Sequence, residues 1–74
     1  MNLEYIKNTR GLDFIKVGMK VKNTYLNKEG IVKGGNSSGN LDVLFDGENK
    51  TANVHPTWEM EYYNKEGELI KAFK

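Results

Sequence analysis

The sequence predicts an all-β fold, a single small barrel of five to six strands, and three observations carry that prediction. Residues 40–55, NLDVLFDGENKTANVH, alternate Leu41, Val43 and Phe45 with Asp42 and Leu44, the two-residue period of a half-buried strand. Asp46-Gly47 follows, a pair that tolerates positive φ, and predicts a hairpin whose second strand runs toward His55. Glycines bracket the β-branched run Ile31-Val32, as tight coiling of a barrel requires.

Residues 1–15, MNLEYIKNTRGLDFI, read as an extended arm or edge strand ahead of a barrel domain over 16–74. Leu3 and Ile6 could begin a helical stripe, but Thr9-Arg10-Gly11 interrupts it after barely two turns. Such an arm could close the barrel or cover a sheet edge. In KVGMKVKN, residues 16–23, Val17, Met19 and Val21 share one face and Lys16, Lys20 and Lys22 the other. That pattern is a strand with a basic solvent side. Residues 23–29 are a polar connection carrying Tyr25 and Leu26, and residues 30–33 a short strand. GGNSSGN, residues 34–40, is an uncharged, flexible hairpin loop. It lacks the lysine and serine/threonine pair of a phosphate-binding loop.

His55-Pro56-Thr57-Trp58 breaks the ladder, because proline fixes φ and has no N–H to donate. Residues 59–63, EMEYY, resume as a strand with Trp58, Met60 and Tyr62 on its core side and Tyr63 opposite. Residues 64–67 form a turn, and 68–73 return as a final strand to complete a C-terminal hairpin.

Seventy-four residues bound the chain to one domain, near the lower limit for folding without a staple. With no cysteine, neither disulfides nor thiolate-held metal can supply one, so stability must come from an apolar core or a partner subunit. Hydrophobic residues at 38% and charged residues at 28% fit a globular domain. No apolar run approaches the roughly 20 residues of a membrane span. The first residues show no signal-peptide pattern, and the expected location is cytoplasmic.

Charge is unevenly distributed. Residues 16–33 carry Lys16, Lys20, Lys22, Lys28 and Lys33 against Glu29, while residues 42–68 carry a net excess of five acids. Cross-strand pairing is the favoured account. A lysine face contacting phosphates, with Tyr25 stacking a base, is the alternative. Catalysis finds little material. His55 is the only histidine, the serines nearest a triad role (Ser37 and Ser38) lie in a loop, and Asp42, Asp46 and Glu48 do not have the spacing of a calcium loop. No catalytic residue, metal site or cofactor is assigned.

The order of these segments resembles an SH3-like barrel of the KOW or Tudor type. The likeness rests on Val17-Gly18-Met19-Lys20-Val21, Glu29-Gly30-Ile31-Val32 and Val43-Leu44-Phe45-Asp46-Gly47, and spans residues 16–63. HPTWEMEYYN, the trailing hairpin and NSSGNLDVLFDG look similar to small proteins of bacteriophages and mobile elements. The N-terminal arm and the extra hairpin depart from a KOW module, so its ribosome or RNA contacts are not carried over. The resemblance implies binding through aromatic surfaces between loops, and a phage origin would suit a host-directed inhibitor. The expected function is therefore a non-catalytic module that binds a protein through Tyr25, Trp58, Tyr62 and Tyr63. The alternative is a small nucleic-acid-binding protein using Lys16, Lys20, Lys22, Lys28 and Lys33. Edge-to-edge strand pairing, to a homodimer or to a target, is a third route.

Overall fold

Six antiparallel strands form one sheet in the computed structural model, which describes residues 3–74. The elements are α1 (Leu3–Arg10), β1 (Lys20–Asn23), β2 (Lys28–Gly35), β3 (Leu41–Phe45), β4 (Ala52–Val54), β5 (Met60–Tyr63) and β6 (Leu69–Phe73). The sheet runs β4-β3-β2-β1-β5-β6, so β1 pairs with its neighbour β2 on one side and with the distant β5 on the other. It is not closed, and β4 and β6 stand at its two ends. The architecture is thus mostly β, as the alternating segments predict.

Alternation decides which side chains meet. Val21, Val32, Leu41, Val43, Phe45, Met60 and Tyr62 fill one face of the sheet, and Ile6, Leu12, Ile15 and Met19 from the N-terminal segment cover them. The Tyr62 ring lies at the centre, edge-on to Phe14 at 5.3 Å and to Phe73 at 6.1 Å.

The extended arm expected over residues 1–15 is instead a helix from Leu3 to Arg10, with residues 1 and 2 outside the described part. Leu3 and Ile6 sit one turn apart and face the core. Glu4 in the first turn and Lys7 and Arg10 in the last complement the helix dipole. Gly11 ends the helix at φ 69°, and the Leu12 N–H donates to the Lys7 carbonyl at 2.9 Å, the pattern of a Schellman cap. Leu12 is thereby driven into the core.

The expected strand over 16–23 keeps its ladder only from Lys20. Gly18 takes φ 91°, its N–H donates to the Val32 carbonyl, and the Val32 N–H donates to the carbonyl of Met19. Two residues therefore oppose one, the alternation breaks, and Val17 turns outward with 61% of its surface exposed. The predicted hairpin at Asp46-Gly47 is also looser than two residues. Only Gly47 of the pair has positive φ, giving a single type II turn, and pairing with β4 resumes at Val43↔Ala52. The polar loop after β2 is built around one side chain. Asn36 Oδ1 accepts the N–H groups of Ser38 and Asn40, and its amide donates to Asp42 and Asn53.

Gly30 marks the closest approach in the sheet. A Cβ there would lie 2.6 Å from the Leu44 carbonyl oxygen and 2.9 Å from Phe45 Cα, so the position needs glycine because backbone occupies the space. Gly30→Ala should destabilise the fold by about 2–3 kcal/mol, since β2 and β3 must part to admit the methyl. Urea unfolding checks this: the midpoint should fall with the slope unchanged.

Candidate functional site

The turn between β1 and β2 is shaped by asparagine at both ends. Asn23 is buried; its Oδ1 accepts the Leu26 N–H at 2.9 Å, and its amide lies 3.7 Å from the Met60 sulfur. Asn27 takes the left-handed conformation, φ 56°, that asparagine tolerates better than most residues. Between them Tyr25 and Leu26 are pushed into solvent.

A second turn, residues 55–59, meets the first. His55 Nδ1 accepts the Thr57 N–H at 3.2 Å, so the only histidine caps a turn. Pro56 is buried, and its carbonyl accepts the Tyr62 hydroxyl. Glu59 then adopts φ 53°, and this left-handed residue breaks the alternation that would have placed Trp58 beside Met60. The Glu59 carbonyl accepts the Thr24 N–H at 2.8 Å and its carboxylate accepts the Thr24 hydroxyl at 2.7 Å. The two turns are clamped together, and the rings of Tyr25 and Trp58 meet at 5.2 Å with a tilt of 46°.

The result is an exposed aromatic ridge. Tyr25 is 71% exposed and Trp58 46%, with Leu26 beside them in the first turn. A centroid distance of 5.2 Å is direct ring contact. An ammonium group could enter between the rings only by separating them, so the ridge is not an aromatic cage.

Of the four expected protein-binding residues, the structure joins Tyr25 and Trp58 and separates the others. Tyr62 is fully buried and cannot touch a partner, which corrects its assignment; burial also pushes its phenol well above the ordinary range. Trp58, which the alternating pattern placed toward the core, is on the surface. Tyr63 lies at the far end of β5, opposite Lys20, and its hydroxyl donates to the Glu61 carboxylate. Leu26, Thr24 and Glu59 complete the ridge without having been assigned to it from sequence. The polar turn that carries Tyr25 signals Leu26, whereas nothing local signals the Thr24–Glu59 clamp.

The lysines do not gather into one stripe. Lys20 pairs with Glu29 at 3.3 Å and Lys28 with Glu48 at 3.7 Å. Lys22 stands in register between Glu29 on β2 and Glu61 on β5. Lys33 is the extra residue of a bulge in β2, and Lys16 lies in the loop before β1. Cross-strand interleaving of charge is the observed arrangement. Among the described residues no three acidic or histidine side chains converge as a metal site, and no helix is long and apolar enough to cross a membrane.

The chain matches no family model, no curated protein sequence and no solved structure.

The Tyr63–Glu61 contact has a pH signature. The hydrogen bond to Glu61, then burial, then the negative charges of Glu61 and Glu29 push the Tyr63 phenol from 10 up to about 12. Between these values the folded chain keeps a proton that the unfolded chain loses. The resulting stability is fully present below pH 10 and disappears as pH rises toward 12. Glu61→Ala should return Tyr63 toward 10 and shrink that loss. Phenolate absorbance titration and denaturant unfolding on either side of pH 10 check both statements.

Proposed function

We propose that this protein is a non-catalytic interaction module that binds a protein partner through the Tyr25–Trp58 ridge. The observation that carries the reading is the clamp between two turns, which holds two large rings outward in mutual contact while the core closes without them. Rigid aromatic side chains offer large contact area for little lost rotamer entropy, and Trp and Tyr are enriched among residues that dominate interfaces. A convex ridge of this kind fits a hollow in its target. Support for the SH3-like part of the reading is the strand connectivity, in which β1 pairs antiparallel with its neighbour β2 and with the distant β5. A phage origin, a cytoplasmic setting and a role as a host-directed inhibitor belong to the same proposal. The nucleic-acid alternative draws less support, because Lys20, Lys22 and Lys28 each have a carboxylate partner or neighbour.

The lone tryptophan makes the proposal measurable without a label. Binding at the ridge should shift Trp58 emission to the blue and protect it from a soluble quencher. Trp58→Ala and Tyr25→Ala should each weaken a partner captured from host lysate by about 2 kcal/mol, roughly thirtyfold, while the fold survives. Undiminished capture by both folded variants would refute the ridge. Salt-sensitive binding to short DNA or RNA, lost in Lys20→Glu with Lys22→Glu, would replace this reading with the nucleic-acid one.

A further inference from the structure

At the opposite end of β1 and β5 lies an open groove of about 1060 Å³, with the loop before β1 on one side and the β5–β6 hairpin on the other. Backbone irregularities shape both walls. On the loop wall, Gly18 with φ 91° breaks the strand and leaves Val17 exposed. On the hairpin wall, Lys71 pairs with Tyr62 and Leu69 with Tyr63, so Ile70 is the skipped residue of a bulge and is 41% exposed.

Charge in the groove is balanced. Lys7 and Lys20 at its margin are paired with Glu4 and Glu29. The groups that are left are Asp13 and Lys16 on the loop wall and Lys65 and Glu66 on the hairpin wall. Among the described residues none of these four is in an ion pair, so no pair spans the groove from wall to wall. A uniformly acidic or basic occupant would set half of them against like charge. Each wall instead carries the same inventory of one carboxylate, one ammonium and one exposed aliphatic group. Walls that share an inventory and do not reach each other within one chain are complementary between two chains. A two-fold rotation that seats each hairpin in the other copy's groove sets loop against hairpin twice, so every contact is made twice.

β6 supplies a second reason. Leu69, Ile70, Lys71 and Ala72 are all exposed, and only Phe73 of this strand packs against the core. The strand is held by its ladder to β5 and by that one ring. A copy lying over the hairpin would bury aliphatic surface that a single chain leaves in water.

We propose that two copies of this chain associate through the groove as a two-fold dimer. Asp13 and Lys16 of each copy lie against Lys65 and Glu66 of the other, and Val17 lies against Ile70. The contact is between side chains and adds no strand to the sheet. It also leaves the aromatic ridge free, since β1 separates the two surfaces by three residue steps, roughly 10 Å.

Sedimentation of the full chain from about 1 μM to about 1 mM should show a monomer–dimer equilibrium. Asp13→Lys with Lys16→Glu reverses the loop wall, and Lys65→Glu with Glu66→Lys reverses the hairpin wall, each without changing net charge. Either variant alone should dimerise at least about tenfold more weakly. An equimolar mixture of the two should recover the dimer, because reversed wall then meets reversed wall and native wall meets native wall. Val17→Ser with Ile70→Ser should also weaken it, and Trp58→Ala should leave it unchanged. The six groove side chains are exposed, and dispersed amide spectra should verify that the variants fold. A chain that stays monomeric over the whole range, whatever else enters its groove, would overturn the proposal. So would a dimer that either reversed wall or the serine pair leaves intact, one lost with Trp58→Ala, or reversed variants whose mixture stays monomeric.

Discussion

The pairing of β1 on both edges is the constraint on which the rest of the molecule depends. It is only four residues long, yet Lys20–Asn23 hydrogen-bonds with β2 locally and with β5 from far along the chain. Closing that second ladder orders a long intervening segment, a cost that grows only slowly with loop length but must be met before the contact forms. The compensation is the core. Once β5 lies beside β1, Met60 and Tyr62 join Val21 under the cover of Ile6, Leu12 and Ile15. Asn23, the buried polar residue on β1, has both ends of its amide occupied, so the strand reaches the surface turn without stranding a donor or acceptor.

Because β1 and β5 are antiparallel, each end of that pair brings together two segments that are remote in sequence. At the Asn23–Met60 end these are the turns carrying Tyr25 and Trp58; at the Lys20–Tyr63 end they are the Val17–Gly18 turn and the bulge at Ile70. The candidate ridge is built where regular backbone stops. The left-handed conformation of Glu59 costs on the order of 1 kcal/mol or more, and its two hydrogen bonds to Thr24 offset that cost. Strain and clamp occur at the same residue, which is why Trp58 faces outward in one defined orientation.

Legibility in the sequence follows the same division. β3 could be read because one of its faces is buried, so Leu41, Val43 and Phe45 are apolar at every second position while Asp42 and Leu44 stay half-buried. α1 could not be read by period, since an eight-residue helix offers only Leu3 and Ile6 to the core. Its real signature is Gly11 followed by an apolar Leu12, a capping signal and not a periodic one. Tyr25 was legible as a loop aromatic. Trp58 and Tyr62 were not separable, because strict alternation from Trp58 through Met60 to Tyr62 assumes extended backbone at Glu59. The detail of the favoured cross-strand pairing was hidden for a related reason: composition counts charges, whereas register decides that Lys22 lies between Glu29 and Glu61.

The two sheet ends bear on how a partner can engage. β4 has three residues, too few to template a long ladder. β6 is longer and carries exposed Leu69 and Ile70, but a bulge interrupts it and Lys71 stands at its centre, the ammonium 5.5 Å from the Phe73 ring. An antiparallel copy centred there would set Lys71 against Lys71, and like charges directly opposite one another disfavour pairing. The open ends of this sheet are therefore guarded against strand addition, while one end of the β1–β5 pair presents the ridge. On the proposed reading, recognition is by side chains held on the clamped turns, not by an added strand.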